Sequence, residues 1–207
     1  MRAFSTLLIA AALALSGKLL SKIKAIYYID RLIYILIAHA ALVKRTDDPQ
    51  IQLCMDDLTD ANAQLAIVKD AVDTFDRSKG YSGALNIHDE EQVLEARLKT
   101  AGTSCCAVSA VASTADADAF LDVVDTMVPL VQGALTSIVT KKPEFDAIFL
   151  ATTIVKTDIK NLNNQANQLL DNCLFDVTPP SHTAIATTHV AAIKSAFATA
   201  KTAYGIP

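Results

Sequence analysis

Tryptophan is absent from this chain, and so are the signatures that announce most catalytic and metal-binding sequences. There is no Gly-x-Ser-x-Gly elbow to present a nucleophilic serine, no His-Glu-x-x-His helix and no glycine-rich phosphate loop. Cys-x-x-Cys is missing, and no histidines stand at ligand spacing, so the sequence gives no ground for a zinc site and none for a cofactor. It has no Asn-x-Ser/Thr sequon, no Ser/Thr-rich stalk and no C-terminal apolar tail of the kind that precedes a glycolipid anchor. No segment reads as a strand, and neither a repeat of fixed period nor a low-complexity tract occurs. Basic residues are scarce beyond the N-terminus: residues 1–45 hold seven of the 18 Lys and Arg but one of the 22 acids, Asp30. From Thr46 onward 11 bases face 21 acids, a formal charge of −10. Such a surface repels phosphate backbones, which argues against a nucleic-acid partner.

The first 17 residues read as a secretory signal: Met1-Arg2, a short apolar run, and Ala12-Leu13-Ala14 as a small-x-small cleavage pattern. A membrane span needs roughly 20 apolar residues, and Lys18, Lys22 and Lys24 interrupt this one. A second apolar run, Leu32 to Val43, is also too short, and Asp30-Arg31 separates it from the first, so no stable transmembrane anchor is expected. Residues 18–45 end in Lys44-Arg45, the dibasic cleavage signal of secretory processing proteases, and read as a pro-segment. Within them, residues 18–40 also read as a translated intron, because Gly17-Lys18 can be encoded GGT-AAG. The mature domain is then 46–207.

In that domain apolar residues recur at spacings of three and four, the pattern of helices that bury one stripe. Asp48 caps and Pro49 opens the first helix, whose stripe runs Ile51, Cys54, Leu58, Ala61, Leu65, Val68, Val72 and Phe75. Gly80 and Gly83 break the pattern, and Asp89 can cap a second helix carrying Leu94, Leu98, Ala101 and Cys105. A third begins at Thr114 or Asp116. It is apolar over much of its circumference and is expected to lie centrally, kinked or divided at Pro129 and ended by Lys141-Lys142. Pro143 opens a fourth, with one stripe from Phe145 through Phe149, Val155, Ile159 and Leu169 to Cys173. Ser181 can cap a fifth, rich in Ala and Thr. The expected fold is all-α, a single up-down bundle of about five amphipathic helices.

Four cysteines in a secreted domain imply disulfides. With up-down topology Cys54, Cys105, Cys106 and Cys173 fall at one end of the bundle. Adjacent helical residues point about 100° apart, so the vicinal pair can serve two neighbours, one bond going to Cys54 and one to Cys173. Which of the pair takes which partner stays open.

His88, His182 and His189 read as structural, and the paired acids Asp56-Asp57 and Asp116/Asp118 as solvated first-turn carboxylates. What remains is an apolar surplus: bulky side chains facing a last helix of small residues can enclose a long slot. Its candidate lining is Leu58, Leu65, Leu98, Phe120, Met127, Leu135, Phe149, Ile159 and Phe197.

The region from Val128 to Cys173 carries a Pro-led apolar segment, then Leu-x-x-Ile-Val-x-Lys-Lys-x-x-Phe, then a helix with Val-x-x-Asp-Ile-x-x-Leu. It resembles the fungal hydrophobic surface binding protein A family, which includes cell wall galactomannoproteins, and the likeness covers roughly residues 47–204. The resemblance implies a secreted or wall-associated five-helix protein without catalysis. Its partners would be hydrophobic surfaces, a fatty acid or other apolar ligand in the bundle, and a secreted hydrolase. Four cysteines are not a feature of that resemblance. A secreted helical inhibitor or effector acting through a protein interface is the competing reading, although an inhibitor of the plant type would show an N-terminal hairpin with closely spaced cysteines, which is missing.

Overall fold

The structure is a computed structural model and describes residues 46, 48–109, 111, 113–174 and 178–207. The expected signal and pro-segment, with the Lys44-Arg45 pair, lie outside the described residues. Helix α1 (Pro49–Asp73) starts as its sequence dictates: the Asp48 carboxylate accepts from Gln50 N at 2.8 Å and Ile51 N at 3.2 Å, with Pro49 in the first turn. All eight residues of its stripe, Ile51 to Phe75, are buried.

Helix α2 (Gly80–Cys106) begins nine residues before the expected cap Asp89, directly after a 3₁₀ turn at Arg77–Lys79. Gly80 takes a left-handed φ of 62° to make that turn, and Gly83 stands inside the helix rather than ending it. Contact explains Gly83: a Cβ there would sit 2.5 Å from Lys79 Cβ and 3.3 Å from the Phe75 ring.

Helix α3 (Thr114–Thr140) is capped by Ser113, whose Oγ accepts from Asp116 N at 3.0 Å. Pro129 does not divide it; the proline is exposed within one continuous helix. The expected long fourth helix is broken. A short α4 (Lys142–Asp146) and α5 (Ala151–Leu169) are separated by a reversal in which Leu150 takes φ 67°. Burial drives the break: Phe145 is wholly buried and stacks on Phe75 with ring centroids 4.3 Å apart, while Ala151 is wholly buried on the far side of the turn. A π-helical turn, Leu170–Leu174, ends α5 and holds Cys173. Helix α6 (Thr183–Tyr204) has His182, not Ser181, at its N-cap position and ends on Gly205 at φ 61°.

The five long helices close into a ring. Helix α1 packs on α2 and α3, α2 also on α5, α5 also on α6, and α6 also on α3. Helix α3 is therefore one stave of the ring and not its centre, a correction to the expectation from its apolar circumference. Side-chain bonds give the register of each seam: Gln64 Nε2 donates to Glu90 O at 3.0 Å across α1 and α2, and Gln165 Nε2 to Glu95 Oε2 at 3.3 Å across α2 and α5. At one end the disulfides Cys54–Cys105 and Cys106–Cys173 join α1, α2 and the tail of α5. The vicinal pair serves two neighbours, and the structure resolves the pairing left open above.

Leu150 is half exposed and holds a backbone conformation that costs an L-residue on the order of 1–2 kcal/mol. Leu150→Gly is expected to raise stability by about 0.5–1 kcal/mol once the entropy of glycine in the unfolded chain is subtracted. Urea unfolding checks this; a loss of stability would show that the turn needs the leucine side chain.

Candidate functional site

A ring of five helices leaves a space along its axis that a four-helix bundle does not. With neighbouring axes about 9–10 Å apart, a regular pentagon places each axis about 8 Å from the centre. A helix with its side chains has a radius of about 5–6 Å, so a tube about 2–3 Å in radius remains unless large residues fill it.

In this chain they do not fill it. All five long helices line one cavity of about 100 Å³, measured over the positions open to the centre of a water-sized sphere. On α1 the lining runs from Ala61 to Val72, and on α3 from Met127 to Ile138, each about 16 Å at 1.5 Å per residue. Ala134 and Ala166 face it where larger residues would close it, and Ile193 and Phe197 of α6 complete the wall. A single water needs only about 10–15 Å³ on this measure, so the cavity suits a thin, elongated apolar molecule.

Six of the nine residues proposed from the sequence line the cavity: Leu65, Leu98, Met127, Leu135, Ile159 and Phe197. Leu58 and Phe120 are buried but lie outside it, one and two turns nearer the disulfide end than the first lining residues of their helices. Phe149 is corrected outright. It is 85% exposed, because the reversal between α4 and α5 takes it off the stripe that the spacing predicted. Val68 and Val72 of α1 and Leu162 and Leu169 of α5 also line the cavity, beyond the residues expected from the sequence.

Asp158 was missed entirely, and it is the one polar side chain among the lining residues. It belongs to a polar cluster in the α2–α5 seam. Its Oδ1 lies 2.9 Å from His88 Nδ1, which lies 3.9 Å from Glu91 Oε2. Glu91 is 3% exposed, and its Oε2 accepts from Gln92 Nε2 at 2.8 Å. Glu91 Oε1, Glu95 Oε1 and Gln165 Oε1 are buried without a hydrogen-bond partner among the described residues. Burial, then the Asp158 charge and the Glu95 carboxyl, push the Glu91 carboxyl up to about 9, so it holds its proton at neutral pH. Asp158 rises to about 6 through burial, against the pull of His88. The signal in the sequence was a carboxylate inside an apolar stripe, in the Val-x-x-Asp-Ile pattern of α5.

With the fold and the cavity in view, known proteins can be compared. The family described as hydrophobic surface binding protein A matches residues 51–174. The chain belongs to that family. Among solved structures, AfMP4p in complex with palmitic acid superposes with a TM-score of 0.69 at 22% identity, over 74% of this chain and 99% of that one. Ligand binding domain 2 of the MP1 protein of Penicillium marneffei, solved with multiple arachidonic acids, gives 0.63 at 17% identity, over 78% and 97%. A second structure of that MP1 domain with arachidonic acids gives 0.65 at 15% identity, over 78% and 96%. No curated protein sequence matches the chain significantly. At these identities the solved structures establish that the family fold is shared.

Both buried acids have folded-state pKa values above their unfolded values, so the folded chain binds more protons than the unfolded one. Their contribution to stability is whole below about pH 4 and is lost as pH rises through about 6 for Asp158 and about 9 for Glu91. Asp73, Asp76 and Asp146, held low chiefly by Lys69, Ser78 and Lys142, act in the opposite sense and only below about pH 4. The melting temperature is therefore expected to fall between pH 5 and pH 9 with chelator present, and Glu91→Gln to flatten most of that fall. A wild-type curve that rises over this range would contradict the buried-acid account.

Proposed function

We propose that this protein is a secreted, non-enzymatic carrier of long-chain fatty acids and related apolar molecules, held in the cavity along the axis of the helix ring. The cavity itself carries the reading: it is long and narrow, and all five long helices line it with apolar side chains, Asp158 being the one polar exception. Each methylene taken from water contributes about 0.8 kcal/mol, so a chain of about a dozen carbons brings ample gross driving force even after the cost of immobilising it. The family relationship, and the palmitic and arachidonic acids bound by AfMP4p and MP1, point the same way. Leu65, Leu98, Met127, Leu135, Ile159 and Phe197 are the proposed contacts.

The same protein coats hydrophobic surfaces, and the exposed Phe149 and Leu150 at the α4–α5 reversal offer an apolar tip for that contact. Its place is the cell wall or the medium, and a secreted hydrolase acting on an apolar substrate is the kind of partner such a coat would recruit. Residues 1–17 act as the signal and residues 18–45 as a pro-segment. N-terminal sequencing of secreted protein is expected to read from Thr46; a start at Leu15 would refute cleavage after Arg45.

Filling the cavity separates carriage from packing. Met127→Trp combined with Leu162→Trp is expected to weaken palmitate binding at least tenfold, read by displacement of a fluorescent fatty acid, with helicity unchanged. Phe149→Ala is expected to leave palmitate binding alone and to weaken adsorption to hydrophobic beads. Palmitate binding that survives the double tryptophan variant would remove the cavity as the site.

A further inference from the structure

The α2–α5 seam gathers acceptors without a cation to answer them. Glu91, Glu95 and Asp158 meet no lysine or arginine in an ion pair among the described residues, and His88 is their single basic neighbour. Burying carboxylates costs several kcal/mol apiece unless charge or hydrogen bonds compensate. The proton on Glu91 and the His88 contact of Asp158 supply part of that compensation, and a bound cation would supply the rest.

We propose that His88, Glu91 and Asp158 bind a divalent transition-metal ion. One imidazole nitrogen and two carboxylate oxygens lie within 4.8 Å of one another. Ligand atoms about 2.0–2.2 Å from a shared Zn2+ stand roughly 3–4 Å apart, so rotamer adjustments suffice to close the site. His88 and Glu91 are three apart on α2 and share a face, and Asp158 comes from the adjoining helix, which is how helix bundles assemble metal centres. The second, independent observation is Glu91: 3% exposed, with no donor to its Oε1 among the described residues apart from a proton shared with the Glu95 carboxyl.

The donor set selects the ion. Mixed imidazole and carboxylate ligands suit Zn2+, Mn2+ and Co2+, whereas Ca2+ asks for six or more oxygens. His88 is 30% exposed at its side chain and opens the site to solvent. The alternative occupant of the seam is a proton shared between Glu91 and Glu95. Metal and proton differ in what they displace: the metal takes the place of the Glu91 proton, which is released.

Calorimetric titration of the untagged full chain, freed of metal by chelation, with ZnCl2 at pH 7 tests this in two buffers of different ionisation enthalpy. One site is expected, with about one proton released. His88→Ala, Glu91→Gln and Asp158→Asn should each weaken it at least tenfold, with the circular dichroism spectrum unchanged. The double variant His182→Ala/His189→Ala, which removes the other two His–Asp contacts, should bind Zn2+ as the wild type does. Absence of saturable binding would overturn the proposal and leave the seam to a shared proton. Loss of binding in the His182/His189 variant rather than in the three seam variants would overturn it equally.

Discussion

Closure of five helices into one ring is the constraint from which the rest of this structure follows. Each long helix has two neighbours, so each must carry two seams as well as an inward face, and this is why α3 is apolar around so much of its circumference. The inward face is the least demanding of the three. A seam is satisfied only by close interdigitation, but across the axis of a pentagonal ring only large side chains can meet. Alanines at Ala61, Ala134 and Ala166 leave the space that Phe or Met at those positions would occupy.

A cavity so apolar makes the acids of the α2–α5 seam conspicuous. His88 meets Asp158 and Glu95 meets Gln165, each pair separated by 70 residues in sequence. Two rungs at a constant offset are what parallel neighbours produce, and α2 and α5 are parallel because the α3 stave and the α4 reversal intervene between them. The polar rungs fix this register, which an apolar seam specifies only loosely. Glu91 is not needed for that purpose. It pays a desolvation cost and, in return, only accepts from its neighbour Gln92 and meets Glu95, which sets it apart from carboxylates that merely hold helices together.

Helical stripes were legible in the sequence because burial in a bundle imposes a period of 3.6, and every residue of the α1 stripe is buried. Helix ends were less so. Gly80 and Gly83 look like a break, yet Gly83 is where α2 passes against Phe75 with no room for a side chain. The opposite error occurred at Ile148 to Leu150, where no glycine or proline marks the reversal; the chain turns because Phe145 and Ala151 must both be buried, a tertiary demand that local spacing cannot express. Phe149 was misplaced for that reason. Asp158 was overlooked because a stripe is read by its apolar members, and a carboxylate among them passes for a solvated neighbour. The disulfide partners were legible in outline because topology alone brings four cysteines to one end. The choice within the vicinal pair was not, since it depends on the rotation of α2 about its own axis.

Restraint is distributed unevenly around the ring. At the disulfide end α1, α2 and the tail of α5 are covalently joined, with sequence separations of 51 and 67; they cannot part there without reduction, and each bond stabilises the fold by on the order of 4 kcal/mol through the entropy it removes from the unfolded chain. Helix α6 has no such tie. Its contacts with α3 include His182 with Asp118 and His189 with Asp125, and with the tail of α5 Lys194 with Asp171, pairs in which the carboxylate is largely solvated and which contribute at most about 1 kcal/mol each. Two of its six buried residues, Ala186 and Ala200, are small. The ion pairs that hold α6 to its neighbours are therefore far weaker restraints than the covalent joints at the disulfide end.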